Sequence, residues 1–249
     1  LTVNLALALI LLKQKVLILD ADMGLANIDV LLGISPLYNL THVVSGHRTF
    51  REIICEGPMG IRIIPGGSGA ADLADLQDWE LQRFLSKLDT LSEQADFFLI
   101  DTGAGIAKNV LSFILASNEL IVIATPEPTS LTDAYGLIKT VWHQGFQGDV
   151  KVLVNRAGNA NEASEIYKKL SVAVARFLDM PLEYLGYVRE DPKVVQTVRN
   201  QQLFLAAYPD CGASKDITLI ASKLAQADQT AGAEEGLQGF FSRVASFFK

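Results

Sequence analysis

Apolar runs of strand length alternate with longer, helix-like segments along almost the whole chain. The runs are apolar on both faces, a pattern that is typical of strands buried inside a parallel sheet. The pattern therefore predicts an α/β fold with a doubly wound, mostly parallel sheet and helices on both of its faces. The predicted strands are residues 16–19, 61–64, 97–101, 120–124, 150–154 and 185–188.

The periodicity between these runs predicts helices of different character. Residues 2–12 are almost continuously apolar, which indicates a helix buried against the sheet, whereas 71–91 is amphipathic. Ser130 and Asp133 can form a capping box for a helix over 131–143, and Pro192 can open a helix that runs towards Asn200. Further helices are predicted at 27–32, 40–44, 49–54, 107–116 and 162–178.

Apolar residues also recur at helical spacing in the last stretch of the chain, GLQGFFSRVASFFK. Because a helix this short cannot span a bilayer, it is predicted to lie in the membrane interface, aided by Arg243 and Lys249. The alternative is a helix docked on the protein's own core or in a partner's groove. The predicted membrane-binding residues are Leu237, Phe240, Phe241, Val244, Phe247 and Phe248.

Length and composition place these elements in one domain with a tail. A chain of 249 residues with 49% hydrophobic content can bury one sizeable core, here predicted as residues 1–226. The acidic, glycine-containing stretch 227–236 is predicted to be a linker, and 237–249 is the amphipathic helix. The formal net charge of −7 argues against a broad DNA-binding surface, so no direct nucleic-acid partner is expected.

The cysteines and the lengths of the apolar runs indicate the cellular compartment of the protein. Cys55 and Cys211 are far apart and lack the spacing of a disulfide framework or a metal knuckle. The sequence shows neither a signal peptide nor an apolar run long enough to span a bilayer. These features favour a cytoplasmic protein.

Two of the predicted strands end in aspartate. Asp20 and Asp22 follow the strand at 16–19, and Asp101 ends the strand at 97–101 before Gly103 and Gly105. The carboxyl ends of parallel strands share one edge of the sheet, so a common polar site is expected there. Carboxylates beside glycine-rich turns suit Mg²⁺ together with a phosphate ligand. The alternative for Asp22 is a helix cap.

Five stretches, taken together, resemble the MinD/ParA group of deviant P-loop ATPases. They are TVNLALAL, VLILDADMGLANIDVLLG, FFLIDTGAGI, TPEPTSLTDAYGLIK and VLVNRA, and their details are most similar to the flagellar-number branch, FlhG/FleN. The resemblance covers residue 1 to about residue 226. It implies an ATPase that hydrolyses ATP with Mg²⁺ and forms an ATP-dependent homodimer.

The resemblance also implies roles for individual residues. Asp22 would position the attacking water, Asp20 would support the Mg²⁺ shell, and Asp101 would hold Mg²⁺ through water. Asn155 matches the position that contacts adenine in the family, and Arg156 beside it is a weaker candidate.

One departure from the family concerns the phosphate loop, which would lie immediately before TVNLALAL. The sequence begins at Leu1, so we expect an N-terminal truncation that removes this loop and the strand before it. This chain without the loop is then expected to bind ATP poorly and to be inactive as an ATPase, because the loop cradles the phosphates. Residues 66–69, GGSG, are interpreted as a strand-to-helix turn, since no Lys-Ser or Lys-Thr follows.

The resemblance favours a MinD-type dimerisation switch that regulates flagellar number or placement. Its implied partners are a signal-recognition-type flagellar GTPase, flagellar switch components or a transcriptional activator, and the inner membrane surface, to which it would attach peripherally. The alternatives are a division-site regulator of the MinD type and a non-catalytic adaptor that has lost hydrolysis. A redox ATPase of the nitrogenase iron-protein kind is disfavoured, because Cys55 and Cys211 do not lie in the required motifs.

Overall fold

The computed structural model describes residues 1–22, 28–67, 95–228 and 237–248. Within these residues the strands follow the alternating order that the sequence predicts, and the mostly parallel, doubly wound arrangement is confirmed. The strands are β1 Val16–Ala21, β2 Cys55–Glu56, β3 Arg62–Pro65, β4 Phe97–Thr102, β5 Glu119–Ala124, β6 Asp149–Ala157 and β7 Glu183–Arg189.

The described strands form two sheets, with the orders β2-β3-β1-β4 and β5-β6-β7. All pairs are parallel except β2 with β3, where a two-residue strand forms an antiparallel edge that was not predicted. Within the described residues, β4 and β5 do not pair with each other. Every residue of β4 is only half-buried, although parallel strands are usually covered on both faces.

Helices lie on both faces of these sheets. A 3₁₀ turn, Pro58–Gly60, precedes β3. The α-helices are α1 Thr2–Leu11, α2 Ile28–Leu32, α3 Leu40–Val44, α4 Phe50–Ile53, α5 Lys108–Ala116, α6 Pro128–His143, α7 Ala160–Leu178, α8 Pro192–Arg199, α9 Phe204–Ala207, α10 Gly212–Asp228 and α11 Leu237–Phe248.

Helix α1 connects the two sheets from one face. Seven consecutive residues, Val3 to Leu9, are buried, as the continuous apolar pattern predicts. Leu7 belongs to a core cluster that also contains Ile18 of β1, Leu153 of β6 and Ile217 of α10. Because this one cluster draws side chains from both sheets, their relative position is set by α1 and α10. The opposite face is covered by α3 to α7 and α11.

Several predicted boundaries are wrong. Helix α6 begins at Pro128 with Glu127 as its N-cap, because proline is favoured in a first helical turn. The Ser130 hydroxyl instead accepts a hydrogen bond from the Thr125 backbone N–H at 2.9 Å, so the predicted capping box with Asp133 is not formed. Strand β6 continues to Ala157 and includes Asn155 and Arg156.

Other predictions concern segments that are only partly described. The predicted helix at 71–91 and Asn27 lie outside the described residues. The predicted linker starts too early, because Ala227 and Asp228 belong to α10. Its remaining residues lie outside the described part of the chain. Helices α9 and α10 were not predicted.

The C-terminal helix α11 forms as predicted, but its apolar face packs on the protein itself. Phe240 stacks on Phe113 of α5 with ring centroids 6.2 Å apart, and it also contacts Phe98 of β4 edge-on. Phe241 packs against both Phe98 and Phe50. In this conformation the docked alternative describes the aromatic face of α11, and binding of that face to an outside acceptor stays a prediction.

The burial on α11 is extensive. Leu237, Phe240, Phe241 and Val244 are all less than 10% exposed, and Phe247 is partly buried. Burying each such side chain contributes about 1.5–3 kcal/mol, so the docked position is well stabilised. The side chain of Phe248 lies outside the described part. Among the described residues, no helix combines the length and the apolarity needed to cross a bilayer.

Candidate functional site

The predicted pair of strand-end aspartates is brought together by the pairing of β1 with β4. In this parallel register Asp20 lies directly opposite Asp101, and Ala21 lies opposite Thr102. Both strands end at this point, so the two carboxylates share the carboxyl edge of the sheet. This is the edge at which open α/β sheets bind ligands.

The first turn of α1 reaches the same site. The Thr2 hydroxyl donates a hydrogen bond of 2.6 Å to Oδ1 of Asp101. The free backbone N–H groups of a helix N-terminus favour an anion, so the start of α1 adds positive electrostatic potential beside the two carboxylates. The sequence did not identify Thr2 as a site residue, although its place at the start of an apolar helix was visible.

Asp20 is the most deeply buried acid of the site, with 5% of its surface exposed. Burial raises the pKa of its carboxyl group from 3.8 to about 6, and the nearby charges of Asp101 and Asp29 act in the same direction. Hydrogen bonds from the backbone N–H groups of Asp22 and Ile28 partly oppose this shift in pKa. A cation bound here would restore the charged form.

This raised pKa gives a stability prediction for the protein without nucleotide or metal. Between pH 4 and pH 6 the folded state holds a proton on Asp20 that the unfolded state releases. The contribution of Asp20 to the free energy of unfolding therefore falls as pH rises through that interval. We expect Asp20→Asn to remove this loss. Its free energy of unfolding relative to wild type should rise from about pH 4 to about pH 6 and then stay constant.

Urea unfolding at several pH values measures the difference between the two proteins. Asp149→Asn is a suitable control, because Asp149 is exposed at the opposite end of β6. A difference between Asp20→Asn and wild type that does not change with pH would contradict the raised pKa.

Glycines allow the loops around the aspartates to approach closely. A Cβ atom on Gly66, directly after β3, would collide with the carbonyl oxygen of Asp20. A Cβ atom on Gly103 would lie 3.1 Å from Oδ1 of Asp22. The Asp22 carboxylate therefore lies over the loop that follows Asp101. Gly66 and Gly67 form the turn after β3, as predicted, while the residues from 68 onwards are outside the described part.

Asn155 and Arg156 lie at a separate cavity of about 190 Å³. Leu1 and Asn4 of the α1 end form one part of its lining, and residues 188–191 with α8 form another. The cavity and the aspartate pair are thus connected through the first turn of α1. A ligand that extends from one to the other would cross the N-terminus of that helix.

Arg156 occupies an irregular position in β6. Its φ angle is 58°, and the pairing with β7 shifts register between Asn155 and Ala157. The guanidinium group lies 3.4 Å from a carboxylate oxygen of Glu127 and 3.4 Å from one of Glu190. All three side chains are more than half exposed, so these ion pairs contribute little to stability.

The arrangement of the carboxylates suits Mg²⁺, which also takes water and phosphate ligands, better than a metal ion whose ligands are all protein side chains. Among the described residues, no group of three or more His, Cys, Asp and Glu side chains is placed to hold a metal ion. Mg²⁺ prefers oxygen ligands and usually binds one or two carboxylates together with water and phosphate oxygens. Asp20, Asp101 and the Thr2 hydroxyl offer such oxygens at one edge of the sheet.

Comparison with known proteins identifies the family. No family model matches the chain. The chain is 36% identical over 243 residues to the antiactivator FleN of Pseudomonas aeruginosa. The aligned region covers 98% of this chain and 87% of that protein. It is 32% identical over 249 residues to the flagellum site-determining protein YlxH of Helicobacter pylori, covering 98% and 84% of the two chains.

A solved structure shows the same fold. It is the septum site-determining protein MinD from Pyrococcus horikoshii in complex with Mg-ADP, with a TM-score of 0.70 and 22% identity. The match covers 93% of this chain and 92% of that chain. The resemblance inferred from the sequence motifs is confirmed: the chain belongs to the MinD/ParA family of ATPases, together with the FleN-type flagellar regulators.

Proposed function

We propose that this protein is an ATP-dependent dimerisation switch that regulates flagellar number or placement. The observation that carries the proposal is the first turn of α1, which joins the Asp20–Asp101 pair to the cavity at Asn155. A nucleotide laid across that turn would have its phosphates near the aspartates and its base near Asn155. The relative YlxH is a flagellum site-determining protein, which supports the flagellar role.

The protein's side chains would act by positioning rather than by forming a covalent intermediate. Asp22 would orient the attacking water, with its carboxylate already lying over Gly103. Asp20 and Asp101 would hold Mg²⁺, Asp101 through a water molecule. Bound Mg²⁺ would neutralise charge on the phosphate oxygens. The Thr2 hydroxyl donates a hydrogen bond to Oδ1 of Asp101, which restrains that carboxylate at the end of β4.

The phosphate-binding loop is proposed to precede α1, as in the family. A parallel strand placed between β4 and β5 would join the two described sheets and cover the half-buried β4. The loop after that strand would then lead into Leu1 at the N-terminus of α1. The proposed ATPase domain therefore contains one continuous sheet. The linker and α11 follow this domain.

Helix α11 is proposed to bind the inner membrane surface after it leaves the groove formed by Phe50, Phe98 and Phe113, in which it is docked. In the docked position Arg243 donates two hydrogen bonds, of 3.0 and 2.7 Å, to the carbonyl oxygen of Ala116 at the end of α5. Helix α5 follows the loop after Asp101, so the docked helix is connected to the candidate site. Dimerisation on ATP would present two such helices together and strengthen attachment through avidity.

The proposed macromolecular partners are a second copy of the chain and a component of the flagellar system. That component would be a signal-recognition-type GTPase, a switch component or a transcriptional activator. A division-site role remains the second candidate, because the fold is also that of MinD proteins. A non-catalytic adaptor is the third, and it predicts binding without turnover.

Asp101→Ala in the full-length protein tests the proposed ATPase. We expect the wild-type protein to hydrolyse ATP with Mg²⁺, and the variant to need at least about tenfold more Mg²⁺ for half-maximal turnover, because a ligand of the metal shell is lost. Steady-state phosphate release measured over a range of Mg²⁺ concentrations gives both values.

Thr2→Val provides a matched comparison, since it removes the hydrogen bond to Asp101 while keeping the carboxylate. A smaller shift in Mg²⁺ requirement is expected for it. A normal Mg²⁺ requirement in Asp101→Ala would refute the metal role of Asp101, and a wild-type protein that binds ATP without turnover would favour the adaptor.

A further inference from the structure

Two carboxylates tie the segment after β7 to the start of α10. The Asp216 carboxylate accepts three hydrogen bonds from Arg189, from the backbone N–H at 2.9 Å, from Nε at 2.7 Å and from Nη2 at 2.8 Å. The Asp191 carboxylate accepts from the backbone N–H of Lys193 at 2.9 Å and of Ala213 at 3.4 Å. These hydrogen bonds hold the main chain at residues 189–193 and the guanidinium group of Arg189 against α10.

The Arg189–Asp216 pair is bidentate and has a buried carboxylate. Asp216 is 7% exposed, and Arg189 meets it with two nitrogens side by side. Such bidentate pairs fix orientation as well as distance. Pairing with Asp216 also raises the pKa of Arg189 above its ordinary range. A Cβ atom on Gly212 would collide with the Arg189 side chain, so that side chain lies against the first turn of α10.

The segment held in this way forms one wall of the cavity at Asn155. Arg189 and Asp191 both line the cavity, and Val194 and Val195 of α8 continue the wall. Asp191 is the N-cap of α8, so the position of that helix depends on the same anchoring. A wall that is ordered before the ligand arrives does not have to be ordered during binding, which saves free energy.

We infer that Asp216 is a positioning residue for the base end of the nucleotide, acting through Arg189 on the wall of the Asn155 cavity. This inference rests on the proposed nucleotide function, since it assigns the base to that cavity. Asp216 itself is covered by Arg189 and takes no part in chemistry at the phosphates. Loss of its charge removes the ionic pairing that orients the guanidinium and leaves the wall less ordered, while the Asp20–Asp101 edge is unchanged.

Asp216→Asn in the full-length protein tests the inference. The substitution keeps the size of the side chain and an acceptor for the Arg189 backbone N–H, and it removes the ionic pairing. We expect the Kd for ATP with Mg²⁺ to rise about tenfold, equivalent to about 1.4 kcal/mol. The Kd for inorganic tripolyphosphate should change by less than about twofold, because that ligand has no base. Titration calorimetry measures both constants.

Two further variants accompany this test: Glu119→Gln is the control, and Arg189→Lys breaks the same pair from its other side. Glu119 forms a 2.8 Å ion pair with Lys151 at the opposite end of the same sheet, so Glu119→Gln should leave both Kd values unchanged. Arg189→Lys cannot form the bidentate pair and should weaken ATP binding as Asp216→Asn does. The double variant should be no weaker than either single one, because both substitutions break the same pair.

Three results would overturn the inference. An unchanged Kd for ATP in Asp216→Asn would do so, and so would equal weakening of ATP and tripolyphosphate, which indicates a general loss of structure. A wild-type protein that binds no ATP would overturn both this inference and the proposed function. Wild-type binding without turnover would defeat only the proposed ATPase, since the Kd comparison does not depend on hydrolysis.

Discussion

Replacing Asp22 by alanine in the full-length protein is expected to lower kcat for ATP hydrolysis by a factor of about 10²–10³, with little change in ATP affinity. Groups that position or activate the attacking molecule typically contribute about 10²–10⁴ to the rate. The Asp22 carboxylate lies beside Gly103, on the loop after Asp101, and is separate from the base cavity. The substitution should therefore affect the chemical step and spare binding.

The same variant is expected to accumulate as an ATP-bound dimer, because hydrolysis is the step that would reset the switch. Size-exclusion chromatography with light scattering, with and without ATP, measures the dimer fraction. Asp149→Ala is the matched control, being an exposed aspartate at the far end of β6. Unchanged turnover in Asp22→Ala would assign Asp22 to a helix-capping role.

Replacing Phe113 by alanine is expected to increase membrane binding in the absence of nucleotide by about tenfold. Phe113 lies in the groove and stacks on Phe240, so the substitution weakens docking without changing α11 itself. Phe-to-Ala changes in a core lower the free energy of unfolding by about 3–5 kcal/mol. Part of that loss falls here on the fold as a whole and part on the docking of α11. Co-sedimentation with vesicles containing anionic lipid measures the bound fraction.

Two further variants test whether the released helix is the membrane-binding element. Phe146→Ala removes a buried phenylalanine from a different core cluster and controls for general destabilisation. The double variant Phe240→Glu, Phe247→Glu should abolish pelleting with or without ATP, because it places charge on the apolar face. If Phe113→Ala pellets no more than Phe146→Ala, or if the double variant pellets like wild type, α11 has only a structural role.

The two predictions concern the same structural connection. Helix α5 begins shortly after the loop that carries Gly103, and it ends at Ala116, whose carbonyl accepts from Arg243. A movement of that loop on nucleotide binding would therefore reach the groove through one short helix. Arg243 in the docked state is occupied by α5, whereas in the released state it would be available to anionic lipid.

The sequence alone determined the fold class and the acidic part of the candidate site. Strands that are apolar on both faces and alternate with helices are typical of parallel sheets, and parallel sheets place the carboxyl ends of their strands at a common edge. Asp20 and Asp101 could therefore be assigned to one site before any coordinates, and the observed register places them directly opposite each other. The helix over 192–199 was likewise readable from Pro192, because its cause is local.

Only the tertiary structure decided the features that depend on distant segments. Arg189 and Asp216 are separated by 27 positions, and nothing in their local pattern indicates that they pair. The same holds for α11, since an amphipathic face is equally suited to a lipid surface and to an apolar groove. The groove is built from Phe50, Phe98 and Phe113, which meet only after the sheet has formed. The periodicity of a helix specifies which face is apolar, but what covers that face depends on which surfaces the folded chain brings to it.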